Sequence, residues 1–337
     1  MSFEITIQPS GHIYHALSEE TILEAALREG YTLPYGCRNG ACGSCKGKIL
    51  QGSVDYGAYQ QGVLTAEEIE NGMALFCCAR PQTDLVIECR EIGAAKDIPI
   101  KTLPCRVQRM ERVAHDVMVL HLKLPANERL QFLAGQYIDI LLKEGKRRGF
   151  SLANPPHDDE LLQIHVRHVP GGQFTDYVFF DMKEKAILRF EGPLGTFFLR
   201  EDSDKPIIFL AGGTGFAPIK GIAEHAFFKG ITRPMTLYWG ARSLRDLYMP
   251  HLPAAWQEAH ADFSFIPVLS DPLPEDNWLG RTGLAPDAVL EDFPDLSGYQ
   301  VYACGAPAMV SAAHQAFVAR GLPEEEFLSD AFTFSPK

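Results

Sequence analysis

The sequence has 337 residues, of which 46% are hydrophobic and 22% are charged, and its formal net charge is −12. This length and composition are typical of a globular protein of two or three domains. The acidic balance argues against binding to nucleic acid or to an anionic membrane surface. We find no apolar run of about 18 residues that could span a membrane and no basic start of a signal peptide, so the sequence predicts a cytoplasmic protein.

The first 92 residues have the pattern of a small α+β domain. Alternating and helical patterns predict a hairpin, a helix and a closing strand, at residues 2–8 with 12–16, 21–29 and 84–89. Ser18 is the expected start signal of the helix, and Gly30 is its expected stop signal. Residues 93–103 have little periodicity, which predicts a linker.

A glycine-rich loop at residues 36–47 contains three of the eight cysteines. The candidate metal ligands follow a Cys-x4-Cys-x2-Cys pattern with a later single cysteine: Cys37, Cys42, Cys45 and Cys77. This is the spacing of a plant-type [2Fe–2S] cluster, and zinc sites more often combine two close pairs of ligands. Cys78 competes for the fourth position, but Pro81 favours Cys77, because in plant-type ferredoxins that ligand usually lies four residues before a proline.

The remainder of the chain contains two further patterns. Residues 104–202 consist of short strands without long helices between them, which predicts a barrel or a sandwich, with strands at 117–124, 137–142, 161–168 and 187–191. Residues 203–337 alternate apolar strands with helices, which predicts a parallel α/β sheet. Its elements are expected at 206–211, 218–229, 235–239, 263–269, 300–303, 308–319 and 327–332.

The segment Arg148-Gly149-Phe150-Ser151 matches the Arg-x-Tyr/Phe-Ser/Thr signature of the ferredoxin–NADP reductase superfamily. Over essentially its whole length the chain resembles the reductase components of that superfamily that serve multicomponent oxygenases or a deoxysugar dehydrase. The resemblance implies a multidomain α+β and α/β fold. Its parts are a β-grasp ferredoxin domain, an antiparallel β-barrel FAD domain and a parallel α/β nucleotide-binding domain. It also implies a [2Fe–2S] cluster, FAD and NADH as cofactors, with NADPH as the alternative to NADH.

The same resemblance implies which residues contact the flavin. Arg148 is expected to pair with the pyrophosphate, Phe150 to offer its face to the ring, and Ser151 to act as a catalytic residue near the flavin N5. A second group is expected at the ring edge and the pyrophosphate: His165, Arg167, Gly171, Gly172, Gln173 and Thr175. Within this group, Thr175 is expected to cap the start of a helix.

A glycine turn between a strand and a helix predicts a diphosphate site. The turn and a Cys-Gly-x-Pro match near the C-terminus place the expected nucleotide contacts at Gly213, Thr214, Gly215, Pro218, Cys304 and Gly305. The resemblance implies that Cys304 is a second catalytic residue beside the nicotinamide and that Arg242 lies near the adenosine ribose. Phe332 or Phe334 is expected to cover the flavin, with a place in the core as the alternative for either.

Together these motifs predict a reductase that passes electrons from NAD(P)H through FAD and the cluster to a partner oxygenase or dehydrase. The alternative is a stand-alone flavin or quinone reductase whose cluster serves another acceptor. Acidic side chains outnumber basic ones in residues 1–95. Either the partner presents a basic patch to them, or this domain is simply a well-solvated acidic one.

Overall fold

The structure, a computed structural model, describes residues 2–93 and 97–333. These residues fall into two compact units, the first formed by the chain up to Pro99 together with Thr333 and the second by Ile100–Phe332. Phe334, one of the two phenylalanines expected near the flavin, lies outside the described residues. None of the described helices is long and apolar enough to cross a membrane.

A five-stranded mixed sheet forms the body of the first unit. Its elements are β1 Ser2–Gln8, β2 Ile13–Leu17, α1 Ile22–Arg28, β3 Lys46–Gln51, β4 Val54–Asp55, α2 Ala66–Glu70, β5 Met73–Leu75, β6 Arg80–Pro81 and β7 Leu85–Glu88. The strand order is β2-β1-β7-β3-β5, with β7 parallel to β1 and the other neighbours antiparallel. The predicted closing strand therefore lies in the middle of the sheet. This is the expected β-grasp arrangement, and it holds the cysteine loop between α1 and β3.

Helix α1 begins at a different residue from the one expected. Thr21 is its N-cap, because Thr21 Oγ1 accepts a hydrogen bond from Glu24 N–H (3.2 Å) and the Glu24 carboxylate accepts one from Thr21 N–H (2.9 Å). The prediction of Ser18 as the start signal is wrong, since this reciprocal capping box satisfies two free N–H groups at the helix end. Gly30 follows the C-cap residue with a φ of 85°, as expected of a stop signal.

An antiparallel six-stranded sheet forms the first half of the second unit. Its elements are β8 Lys101–Arg112, β9 Val117–Lys123, β10 Tyr137–Leu141, β11 Arg147–Ser151, β12 Leu162–Arg167, α3 Gln173–Asp176 and β13 Ile187–Leu194. The strand order is β11-β10-β13-β8-β9-β12. Strand β8 begins within the segment 93–103 that was predicted as a linker, because Lys101 already pairs with Gly192 of β13.

The two edge strands of this sheet meet just after β11. Leu152 forms an antiparallel bridge with Ile164, and Ala153 N–H donates to the Gln163 carbonyl oxygen (2.8 Å). These contacts close the sheet into the expected barrel. They also fix the position of the chain that directly follows Ser151.

A six-stranded parallel sheet forms the second half of this unit. Its elements are β14 Ile207–Gly212, α4 Phe216–Phe228, β15 Met235–Ala241, α5 His251–Ala259, β16 Phe263–Leu269, β17 Arg281–Thr282, α6 Ala285–Asp292, β18 Gln300–Gly305, α7 Pro307–Val318 and β19 Phe327–Ala331. The order is β17-β16-β15-β14-β18-β19, and all neighbours are parallel. Ile207 and Phe209 face one hydrophobic core and Ile208 and Leu210 the other, so β14 is buried on both faces.

Candidate functional site

The four candidate cluster ligands fall into two pairs of thiols that act on each other. A side-chain interaction with Cys37 lowers the pKa of Cys42, and one with Cys45 lowers the pKa of Cys77. Two adjacent pairs of cysteines suit a cluster of two iron atoms held by four thiolates.

Backbone N–H groups of the loop point at these sulfurs. Ala41 N–H donates to Cys37 Sγ and Cys37 N–H donates to Cys42 Sγ, both at 3.3 Å. Such bonds stabilise thiolates and tune the potential of a cluster. Gly40 turns the loop with a φ of 70°, and a Cβ at this position would lie 2.7 Å from Cys78 Sγ. Both the donors and the shape of the loop therefore fit a [2Fe–2S] cluster.

Cys78 lies beside this site but outside the two pairs. Its Sγ is 3.6 Å from Cys77 Sγ. The hydrogen bond with Cys77, together with burial, raises the pKa of Cys78 far above its usual range. Cys78 is thus a neutral thiol that contacts Cys77.

The two expected flavin motifs meet in the barrel. Phe150 of β11 packs against Phe174 of α3, with ring centroids 5.2 Å apart and an interplanar angle of 50°. Gly171, which adopts a φ of 78°, turns the chain just before this helix. Arg148 lies two residues before Phe150 and is half-buried, and its Nη1 donates to the Arg147 carbonyl oxygen at 2.7 Å.

Thr175 has a different role from the expected one. Gly172 is the N-cap of α3, Gln173 is its first residue, and Thr175 lies inside the first turn. Thr175 Oγ1 donates to the Val169 carbonyl oxygen (2.9 Å) and accepts from Val169 N–H (3.2 Å). The prediction of a Thr175 cap is wrong because the glycine turn is short and the helix begins earlier. The hydroxyl instead fastens the turn to the end of β12.

Strand β12 presents two of the expected residues to the nucleotide half of the unit. His165 is buried, and its Nδ1 lies 2.8 Å from the Tyr248 hydroxyl. Burial, followed by the positive charge of Lys220, lowers the pKa of His165 to about 3, so this imidazole is neutral at pH 7. Arg167 forms an ion pair with Asp116, with Nε and Oδ2 3.1 Å apart.

Some donors of β12 are available for a ligand. In the part of the chain that the structure describes, Arg167 Nη2 and His165 Nε2 are buried without a hydrogen-bond partner. Arg167 Nη1 lies so close to the glycine turn that a Cβ at Gly213 would be 2.6 Å from it. A cation with an unused donor beside a glycine turn fits an anionic diphosphate. The sequence assigned Arg167 to the flavin, and the structure places it where the barrel meets the nucleotide turn.

The predicted diphosphate turn lies between β14 and α4. Residues Gly213–Gly215 form a single helical turn in which Thr214 is buried, and α4 begins at Phe216. Trp239 Nε1 donates to the Gly213 carbonyl oxygen (3.0 Å) and holds the turn against β15. Pro218 is the third residue of α4, within the first turn, where a missing N–H is tolerated.

The same turn packs closely against the end of β18. A Cβ at Gly215 would lie 2.0 Å from the Cys304 carbonyl oxygen and 3.0 Å from Gly305 N. Both contacts are with backbone atoms, so a side chain cannot move away to relieve them. Gly215 therefore allows the nucleotide turn to approach the strand that carries Cys304.

Asp330 of β19 joins the two candidate catalytic residues and was not expected from the sequence. Ser151 Oγ donates to Asp330 Oδ2 (2.8 Å), and Asp330 is the register partner of Cys304. Burial raises the pKa of Asp330 to about 6, against the opposing effect of the Ser151 hydrogen bond. Burial and then Asp330 raise the pKa of Cys304 well above its usual range, so this side chain is a thiol and not a nucleophilic thiolate. The sequence feature that could have identified Asp330 is its position at the carboxyl end of a parallel strand, where such sheets bind ligands.

Two expected contacts lie at the edge of this region. Arg242 follows β15 and is exposed, with Nη2 3.7 Å from Oδ2 of the equally exposed Asp271. Phe332 follows β19, donates its N–H to the Gly305 carbonyl oxygen (2.8 Å) and packs against the core of the nucleotide sheet. Its side chain is only partly buried.

Three protein families match the chain in succession. The 2Fe-2S iron–sulfur cluster binding domain matches residues 5–82, the oxidoreductase FAD-binding domain matches 104–199, and the oxidoreductase NAD-binding domain matches 209–315. All three expected cofactors, the [2Fe–2S] cluster, FAD and NAD(P)H, are therefore supported by a domain of their own.

The chain also aligns with relatives over nearly their whole length. The chain is 40% identical over 332 residues to the CDP-6-deoxy-L-threo-D-glycero-4-hexulose-3-dehydrase reductase of Yersinia pseudotuberculosis, covering 98% of this chain and 99% of the relative. It is 33% identical over 338 residues to the phenol 2-monooxygenase reductase component of a Pseudomonas species, covering 98% and 95%. The crystal structure of an Amycolatopsis cytochrome P450 reductase is 36% identical and superposes with a TM-score of 0.80, covering 98% and 99%. The chain therefore belongs to the ferredoxin–NADP reductase superfamily, among the NAD(P)H-dependent reductases that carry a 2Fe-2S domain.

Proposed function

We propose that the chain is the reductase component of a multicomponent enzyme and delivers electrons from NADH to a separate oxygenase or dehydrase. The observation that carries the proposal is the 2.8 Å hydrogen bond between Ser151, at the end of the flavin strand, and Asp330 of the nucleotide sheet. This bond joins Ser151, which is expected near the flavin, to the strand neighbour of Cys304, which is expected near the nicotinamide. The names of the relatives, which are reductases of a dehydrase and of a monooxygenase, support a separate acceptor.

When bound, FAD would accept a hydride, which carries two electrons, and would pass those electrons on singly to a bound [2Fe–2S] cluster. We propose that Ser151 and Cys304 border the place of hydride transfer. Ser151 Oγ donates a hydrogen bond to Asp330 Oδ2, so its lone pairs would be free to accept a hydrogen bond from an N–H group of the bound flavin. Cys304, as a neutral thiol, positions the nicotinamide by contact.

The nucleotide site has both a turn for the diphosphate and an exposed end for the ribose. We propose that Gly213, Thr214, Gly215 and Pro218 hold the diphosphate at the start of α4, with Gly305 beside them. Arg167 supplies the positive charge from the barrel. The Asp271 carboxylate beside Arg242 repels a 2′-phosphate on the adenosine ribose, so we propose NADH rather than NADPH.

The proposal extends to the flavin and cluster ligands. We propose that FAD is held by Arg148, Phe150, Ser151, His165, Gly171, Gly172 and Gln173, with Thr175 fastening the turn and Phe332 at the edge of the ring. The cluster ligands are proposed to be Cys37, Cys42, Cys45 and Cys77, in the two pairs described above.

We propose domain limits at residues 1–92, 104–202 and 203–337, with a linker at 93–103. Strand β8 starts at Lys101, so only the part of this linker before residue 101 lies outside the strand. We also propose a cytoplasmic location. Its support is that the cysteines of the described residues form no disulfide, which suits a reducing compartment.

Exit of electrons through the cluster separates this function from that of a reductase whose flavin alone reduces the acceptor. The test compares the wild type, Cys77→Ser and the control Cys89→Ser, each loaded with FAD, in NADH-driven reduction of ferricyanide and of cytochrome c. Ferricyanide can take electrons directly from the flavin, so we expect its reduction to persist in all three proteins. Reduction of cytochrome c should be lost in Cys77→Ser alone. Full reduction of cytochrome c by cluster-free Cys77→Ser would overturn the proposal.

A further inference from the structure

A buried lysine crosses from the nucleotide half of the second unit to the barrel. The Lys220 side chain is only 9% exposed, which is costly for an ammonium group unless its donors are satisfied. Lys220 Nζ donates to Glu224 Oε2 (2.8 Å) one turn further along α4, and to the Ala153 carbonyl oxygen of the barrel (3.1 Å). The first bond stays within the helix, and the second joins the two halves.

The barrel end of the Lys220–Ala153 hydrogen bond is held in place by the backbone of neighbouring strands. Ala153 lies two residues after Ser151, and its own N–H donates to the Gln163 carbonyl oxygen (2.8 Å). Leu152 N–H donates to the Gln136 carbonyl oxygen (2.8 Å) as well. The segment that accepts the Lys220 bond is therefore held on both sides by backbone hydrogen bonds.

The helix end of this link is close to the diphosphate turn. Lys220 is the fifth residue of α4, so it lies about 6 Å along the helix axis from its first residue. Gly221, the next residue, packs directly on the barrel, where a Cβ would lie 3.1 Å from both the Leu152 and the Asn154 carbonyl oxygens. The backbone of α4 thus contacts the backbone that follows Ser151. Sliding of α4 on the barrel would break the Lys220 bond or cause a clash.

The surroundings of Lys220 confirm that its charge acts at this junction. After burial, the charge of Lys220 is the main cause that lowers the pKa of His165 on β12. His121 of β9 also has a lowered pKa; burial is the first cause, the charge of Arg109 is the second, and Lys220 makes a small contribution. The ammonium group therefore lies among barrel strands although its backbone belongs to the nucleotide half.

We propose that Lys220 is a positioning residue for hydride transfer, because it fixes the helix that binds the dinucleotide against the strand that carries Ser151. This inference rests on the proposed function. It assigns to the Lys220–Ala153 bond and the Gly221 contact the task of setting the distance between nicotinamide and flavin. Lys220 takes no part in the chemistry, and the hydride passes from NADH to FAD without it.

The test uses the full-length holoenzyme in anaerobic rapid mixing with NADH, which separates the limiting rate constant of flavin reduction from the NADH dissociation constant. A displacement of about 1 Å between reacting groups can cost about 100-fold in rate. For Lys220→Met we expect the limiting rate constant to fall at least about tenfold. The NADH dissociation constant should stay within about twofold, because the diphosphate turn itself is unchanged. The deuterium isotope effect on the transferred hydrogen should rise or stay the same.

Two further variants support the test if Lys220→Met folds poorly. Gly221→Ala alters the packing without altering charge, and it should also lower the limiting rate constant. Lys229→Met changes an exposed lysine at the C-cap of the same helix, and it should behave as the wild type.

Two results would overturn the inference. One is a limiting rate constant within about threefold of the wild type in both Lys220→Met and Gly221→Ala. The other is a loss confined to FAD content, melting temperature or NADH affinity, which would give Lys220 a merely structural role. Failure of the wild type to be reduced by NADH or NADPH would instead contradict the proposed function, so the two failures are distinguishable.

Discussion

The approach of Gly215 to the Cys304 carbonyl predicts a large kinetic effect for a single added methyl group. In Gly215→Ala the new Cβ would start 2.0 Å from the Cys304 oxygen, whereas real contacts of this kind are essentially never shorter than 3.0 Å. The turn must therefore move away from β18 by about 1 Å. Because both partners are backbone, this shift is transmitted to the start of α4 and to the bound nucleotide. A displacement of that size corresponds to a roughly 100-fold loss in the rate of hydride transfer, or about 2.7 kcal/mol in the barrier.

The measurement is the limiting rate constant of flavin reduction by NADH under anaerobic conditions, followed at the flavin absorbance. Gly298→Ala is the matched control, because a Cβ at Gly298 meets no atom within 4 Å. Reduction by dithionite should be normal in both variants, since it does not use the nucleotide turn. A Gly215→Ala protein that is reduced by NADH at a rate within about threefold of the wild type would refute the close packing of the turn on β18.

Three further predictions concern the cluster, the buried carboxylate and the choice of nucleotide. Cys77→Ser should lose the iron and the visible absorbance of the cluster, whereas Cys78→Ser should keep both; the opposite result would reverse the assignment of the ligand. Because burial raises the pKa of Asp330 from 3.8 to about 6, the folded state loses stability as the pH rises through this range, by at most roughly 3 kcal/mol. Asp330→Asn removes this loss, so the melting temperature of the variant minus that of the wild type should be larger at pH 7.5 than at pH 5. A difference that is the same at both pH values would contradict the raised pKa. Asp271→Asn removes the carboxylate beside Arg242, so the KM for NADPH should fall several-fold while that for NADH changes little; equal changes for both nucleotides would place the pair away from the ribose.

The order of domains could be predicted because each depends on local signals in the sequence. The spacing of Cys37, Cys42 and Cys45, and the glycine turn that follows an apolar strand, match the geometry of the groups they are proposed to bind. The sequence predictions of helix caps were wrong where several local signals compete. Thr21 caps α1 in place of Ser18, and the start of α3 lies before Thr175, because both choices depend on which backbone N–H groups the folded loop leaves free.

The contacts between the halves of the second unit could not be predicted in the same way. Ser151 and Asp330 are 179 positions apart in the chain, and they meet only because the barrel closes beside the carboxyl end of the parallel sheet. The bond from Lys220 to Ala153 likewise joins an ordinary-looking helical lysine to a main-chain oxygen, which has no signature in the sequence. Periodicity predicts which elements form, but it contains no information on which loops of two different sheets come together.

In the proposed function, electrons enter from NADH at the flavin and leave through the cluster. Anaerobic rapid mixing of the FAD- and cluster-loaded protein with NADH, followed by optical absorbance and by electron paramagnetic resonance of frozen samples, tests this path directly. Flavin absorbance should fall first, and the signal of the reduced cluster should then appear in the same protein, at a rate that does not depend on protein concentration. Complete bleaching of the flavin while the cluster stays oxidised would contradict it.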